Sequence, residues 1–145
     1  MTSMAAPERL FIDTNVLVYA RWPAAPLHQQ ARMALQSYID AGTQLVISRQ
    51  VLREFLATLY RPRTGLAITE LTAEVRRIEA GYAVVEESAA ITAQLLTLLE
   101  QGARHVHDTN LAATCLVAGV SHLLTNNPDD FAAFRNHLTI IPLVP

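Results

Sequence analysis

The chain contains no lysine, and all eleven of its basic residues are arginine. That absence excludes chemistry that needs an amine. A Walker-type phosphate loop requires its Gly-Lys-Ser/Thr, and a Schiff-base enzyme requires its amino nucleophile. A phospho-accepting receiver domain also sets an aspartate beyond a strand, but it would carry a lysine near that site. The single cysteine, Cys115, rules out an internal disulfide and any Cys-x-x-Cys zinc site. It falls within an apolar helical run and reads as a small core residue. No stretch approaches the roughly 20 apolar residues of a membrane span, and Met1 to Pro7 lack the basic start and apolar middle of a signal peptide. The expectation is a cytoplasmic protein with no membrane partner. Charged residues make up only 17% of the chain, so apolar surface covered by another chain is expected. A net charge of −2 argues against a basic surface that coats nucleic acid. It leaves room for a local arginine rim around an acidic centre.

What is present fits one domain spanning residues 1–145, with 51% hydrophobic residues to form its core. Short apolar runs alternate with longer amphipathic stretches, the pattern of strands alternating with helices. Strands are predicted at Arg9 to Ile12, Gln44 to Ile47, Tyr82 to Val85, Ser121 to Leu124 and Thr139 to Ile141. Helices are predicted at Pro26 to Ala41, ended by Gly42, and at Arg49 to Tyr60, capped by Ser48 and stopped by Pro62. Others run from a Thr69 cap to Glu79, from Glu86 or Ser88 to Gln101, and from Asp108 to near Gly119. The fold class is α/β, with a central, mostly parallel sheet of four to five strands and helices on both faces. In such sheets ligands bind outside the carboxyl ends of the strands.

The tripeptide Asp-Thr-Asn occurs twice, at Asp13-Thr14-Asn15 after the first strand and at Asp108-Thr109-Asn110 where a later helix is predicted to open. Either aspartate alone could serve only as a helix cap, worth about 1 kcal/mol. Glu54, between Arg53 and Phe55, could be an ordinary surface residue, and Asp129 and Asp130 could be turn residues after Pro128. Together they point to one rim. Carboxylates at ~4 Å repel by about 4 kcal/mol in partly screened surroundings, so a cluster takes up protons or binds a hard cation. Mg²⁺ and Mn²⁺ accept oxygen ligands and keep several waters, which suits an acidic pocket completed by a substrate phosphate. Phosphodiester cleavage is the chemistry that follows.

Four segments in series then resemble a known family. Ile12-Asp13-Thr14-Asn15-Val16-Leu17-Val18-Tyr19-Ala20, Arg53-Glu54-Phe55, Val106-His107-Asp108-Thr109-Asn110-Leu111-Ala112-Ala113-Thr114 and Leu123-Leu124-Thr125-Asn126-Asn127-Pro128-Asp129-Asp130-Phe131 are similar to the PIN-domain ribonucleases, most of all the VapC toxins of bacterial toxin–antitoxin pairs. The resemblance covers nearly the whole chain and implies a single PIN-like domain. It also implies that Asp13, Glu54 and Asp108 are catalytic and hold Mg²⁺ or Mn²⁺. The family's fourth acidic position falls on Asn127, a departure that weakens the case for a second ion. Asp130 either compensates or caps a helix. Asn15 is expected beside the ligands, and Thr125 is expected to orient a water or phosphate.

The implied activity is metal-assisted endonucleolytic hydrolysis of RNA, leaving 5′-phosphate and 3′-hydroxyl ends. Arg21, Arg49, Arg53, Arg61 and Arg63 are candidates for a phosphate-binding margin, with Trp22 available to stack on a base. His105 and His107 are expected in structural or supporting positions rather than as general acids. The expected partners are an RNA substrate, a cognate antitoxin and a second copy in a homodimer. Leu66 to Ala83 and Ile91 to Leu99 are the candidate contact stretches. Two alternatives stand beside this reading: a PIN nuclease of RNA processing with no antitoxin, and a catalytically weak binding module that keeps the fold.

Overall fold

The computed structural model describes residues 5–145, so Met1–Met4, part of the segment read for a signal peptide, lie outside the described residues. Its strands are β1 (Arg9–Ile12), β2 (Gln44–Ser48), β3 (Ala83–Val85), β4 (His122–Thr125) and β5 (Thr139–Pro142). They form one sheet in the order β3-β2-β1-β4-β5, and every pairing is parallel. Each expected strand is present, with ends displaced by at most one residue. The reason is visible in β1, where Leu10, Phe11 and Ile12 are all fully buried. A central parallel strand is covered on both faces, so it reads as a continuous apolar run.

The helices are α1 (Thr14–Arg21), α2 (His28–Asp40), α3 (Arg49–Leu59), α4 (Ile68–Gly81), α5 (Ala89–Glu100) and α6 (Val106–Ala118), with 3-10 turns at Pro62–Thr64 and Pro128–Phe134. Right-handed crossovers put α1 to α4 on one face and α5 with α6 on the other. The packing agrees: α1 lies against α2 and α3, α3 against α4, and α5 against α6. Phe55 and Leu59 of α3 and Leu71 of α4 are fully buried on the first face, and Leu111, Ala112 and Cys115 of α6 are buried on the second. Burial pushes the Cys115 thiol pKa well above its ordinary value, which fits an inert core residue.

Ser48 and Ser88 cap α3 and α5 through their hydroxyls, which accept the N–H of Val51 and of Ile91 at 3.3 Å. Three helix starts differ from the sequence reading. α2 opens at His28 rather than Pro26, because Leu27 takes a left-handed conformation with φ of 61° and breaks the run. α4 opens at Ile68 behind Ala67, so Thr69 lies inside the helix and does not cap it. α6 opens at Val106, ahead of Asp108, with His105 at the cap position and no side-chain capping bond. Arg9 at the start of β1 fastens the far end of this helix by donating to the carbonyls of Ala118 (3.2 Å) and Gly119 (2.8 Å).

Candidate functional site

The strand order reverses between β1 and β4, and this switch point opens a crevice at the carboxyl rim of the sheet. Asp13 stands at that crevice, directly after β1. Its backbone N–H continues the β1–β4 ladder by donating to the Leu124 carbonyl (3.0 Å). Its side chain is gripped twice: Oδ1 accepts the Thr14 N–H at 2.8 Å and Oδ2 accepts the Thr125 hydroxyl at 2.7 Å. The expected capping role and a place in the acidic site are therefore compatible in this one residue.

Glu54 reaches the same crevice from α3. Oε2 accepts the Thr14 hydroxyl at 2.9 Å, and Oε1 accepts the Gln50 amide at 2.8 Å. Asp108 comes from the first turn of α6. Because the helix begins before it, its carboxylate is not used as a cap. Asp130 arrives on the 3-10 turn after β4, with its N–H donating to the Asn127 carbonyl (3.1 Å). Asp13, Glu54, Asp108 and Asp130 line one cavity of about 300 Å³, with Asn15 and Asn127 at its wall.

The electrostatics of this cavity are those of uncompensated negative charge. Burial pushes the Asp13 pKa up to about 6, against the pull of its bonds from Thr125 and Thr14, and the nearby Asp108 and Glu54 raise it further. Burial also raises Asp108, followed by the charge of Asp130 and of Glu54, while His105 and His107 oppose the shift. Among the described residues no arginine pairs with any of these four carboxylates. Nor do three acidic, histidine or cysteine side chains there stand close enough to enclose a metal together. The donor set nonetheless suits a hard cation. Mg²⁺ keeps several of its waters and is commonly held by only one or two protein carboxylates directly, so an open acidic cavity accommodates it.

Several residues expected around the site have partners of their own. Thr125 is fully buried, and its hydroxyl proton goes to Asp13 while its oxygen accepts the Asn127 N–H (3.0 Å). Of the expected arginine margin, Arg21 pairs with Glu70 (3.7 Å) and Glu74 (3.5 Å) of α4. Arg49 is held by Glu79 and by Glu86 (2.7 Å), and Arg53 by Glu87. Arg63 lies 5.5 Å from the centre of the Trp22 ring, over one of its faces. Arg61 donates weakly to the Ala57 carbonyl at 3.4 Å.

Arg104 carries no sequence signal that points to the site. It lines a second cavity of about 260 Å³ with His105, and this cavity shares Asp108 and Asp130 with the acidic one. Among the described residues Arg104 has no ion-pair partner. His107 lines the acidic cavity itself. Gln50 was not expected there either, although its place four residues before Glu54 on one helix was a legible signal.

Fold and site thus define an α/β protein with an acidic crevice at the switch point of a parallel sheet. Residues 10–136 match the PIN domain, and the chain belongs to that family. Among solved structures it is similar to VapC20 of Mycobacterium tuberculosis, a Sarcin-Ricin loop cleaving toxin, with a TM-score of 0.70 and 16% identity over 92% of this chain and 98% of that one. VapBC-1 from nontypeable Haemophilus influenzae gives a TM-score of 0.69 and 16% identity over 94% and 99%. A toxin–antitoxin complex from Klebsiella pneumoniae gives 0.68 and 19% over 92% and 97%. At these identities the likeness is one of fold. No curated protein sequence matches significantly. No described helix is long and apolar enough to cross a membrane.

Proposed function

We propose that the chain is a divalent-metal-dependent endoribonuclease, the toxin of a type II toxin–antitoxin pair. The observation that carries this reading is the meeting of Asp13, Glu54, Asp108 and Asp130 in one cavity with no arginine among them. Asp13, Asp108 and Glu54 would hold Mg²⁺ or Mn²⁺, which when bound supplies a water of lowered pKa and offsets charge on the phosphate. The chain's own contribution is alignment. Asp13 is fixed by two donors and Glu54 by two more, and both residues line the cavity. Asp130 brings a carboxylate to the wall where Asn127 offers only an amide. An unpaired RNA strand crossing the rim would set its scissile phosphate over the acidic cavity and the adjoining nucleotide over the Arg104/His105 cavity.

The partner reading rests on apolar surface. Ile68 and Leu96 are large, exposed apolar side chains within the two stretches expected to contact an antitoxin or a second copy. The similarity to solved toxin–antitoxin complexes supports the same view.

The neutral amide of Asn127 favours a second reading, a PIN module that binds RNA or protein and cleaves weakly. One experiment separates the two. Purified protein is incubated with total and structured RNA and Mg²⁺ or Mn²⁺, with and without EDTA, beside folded Asp108→Ala. Cutting that requires metal and disappears in the variant is the expected result. Absence of cutting by folded, antitoxin-free protein that still binds metal would replace the nuclease reading with the binding one.

A further inference from the structure

The two Asp-Thr-Asn motifs belong to one hydrogen-bond chain, and Gln50 is the link between them. The Asn110 amide of the second motif donates to Gln50 Oε1 at 2.8 Å. Gln50 Nε2 donates in turn to Glu54 Oε1 at 2.8 Å, with a longer contact to the His107 carbonyl at 3.4 Å. On the other side, the Thr14 hydroxyl of the first motif donates to Glu54 Oε2 at 2.9 Å. The chain runs from α6 to α3 to α1, across helices of both faces of the sheet.

We propose that Gln50 is a positioning residue that holds the Glu54 carboxylate in the orientation the metal site requires. The metal part of this proposal rests on the nuclease reading above. The direction of the hydrogen bonds carries the argument. A carboxylate only accepts, so Gln50 must turn its NH₂ toward Glu54 and its carbonyl oxygen toward α6. Asn110 then must present its own NH₂ to that oxygen. Each amide has one orientation that satisfies the chain, and reversing either sets two acceptors against each other.

Burial strengthens the constraint. Gln50 is only 8% exposed, and a buried amide stripped of its partners is left unsatisfied at a cost in stability. With Thr14 and Gln50 on opposite oxygens, Glu54 is gripped at both ends of its carboxylate. Glu54 lines the cavity shared with Asp13 and Asp108. Partners of this kind, one bond removed from a metal ligand, typically carry 10–100-fold of metal affinity or activity. A glutamine buried only to fill space would carry none of it.

The test is Mn²⁺ titration by calorimetry into metal-free wild type, Gln50→Met, Glu54→Ala and the double variant. Gln50→Met is expected to weaken Mn²⁺ binding by at least about tenfold. In the Glu54→Ala background the same change is expected to alter affinity by less than about twofold, because the carboxylate it acts through is gone. In RNA cleavage, kcat should fall while KM stays near the wild-type value. Gln50→Met that binds Mn²⁺ as wild type does, or that weakens it equally in both backgrounds, would overturn the proposal. Should Gln50→Met fail to fold, Asn110→Ala is put through the same comparison with the same expected and overturning results. Wild type that binds Mn²⁺ in a Gln50-dependent way yet cuts no RNA would sink the nuclease reading and leave this one standing. Wild type that binds no Mn²⁺ would sink both.

Discussion

The Thr125 hydroxyl donates to Oδ2 of Asp13 at 2.7 Å, joining residues 112 positions apart across the β1–β4 seam. This bond is the buried hinge of the acidic crevice, since it favours the ionised form of a carboxyl that burial pushes toward protonation.

Thr125→Val keeps the shape of the side chain and removes the donor. The Asp13 carboxylate loses a bond of the charge-assisted kind, worth about 1.5–3 kcal/mol. Urea denaturation at pH 7.5 should show a stability loss in that range. A loss below ~0.5 kcal/mol would mean that the bond does not form in solution.

Stability of the metal-free protein should fall as pH rises through the Asp13 titration. The folded pKa is about 6 and the ordinary value is 3.8, so the folded state binds more protons between these limits. Asp13 therefore costs nothing below pH 3.8, and its penalty is complete just above pH 6. The difference corresponds to about 3 kcal/mol at most. In Asp13→Asn that slope should be flattened between the two limits. Parallel slopes for wild type and variant, measured by denaturation across pH 4–8, would contradict it.

Divalent cations should reverse the same penalty. A ligand that binds only the folded state at 100 times its Kd adds about 2.7 kcal/mol. Mg²⁺ or Mn²⁺ should therefore raise the midpoint of thermal unfolding of wild type, EDTA should restore the original midpoint, and Asp108→Ala should respond little. A rise of equal size in the variant would remove Asp108 from the metal site.

Arg104→Ala should weaken binding of single-stranded RNA and make it less salt-dependent, by about 0.7 in the slope of log K against log salt for one lost phosphate contact. Arg32→Ala removes the same charge from α2 and serves as the control. Equal effects from the two substitutions would mean that only net charge matters.

The strands were legible because central strands of a covered parallel sheet read as apolar runs, and Ser48 announced its helix by chemistry that acts within three residues, while Ser88 was one of two starts left open for α5. The misplaced starts have a local cause. Thr69 and Asp108 are residue types that cap well, but the chain opens α4 and α6 ahead of them without a side-chain cap. For Asp108 that displacement leaves the carboxylate free to face the crevice. The partners of the arginines were not legible because they lie far away in sequence: nothing near Arg49 or Arg53 reveals that Glu79, Glu86 and Glu87 will meet them. The meeting of Gln50 with Asn110 depends in the same way on where α6 lands beside α3. The acidic residues are visible individually in the sequence, whereas the contacts that hold them arise only from the packed sheet.

The seam between β1 and β4 also sets a schedule. A growing chain emerges from its amino end, so Asp13 and Glu54 leave the ribosome long before Asp108, Thr125 and Asp130 exist. Until β4 inserts beside β1, Asp13 lacks the donor on its second oxygen and the crevice has only one wall. Whatever chemistry the crevice performs stays disarmed until α6, β4 and the turn that follows have been made.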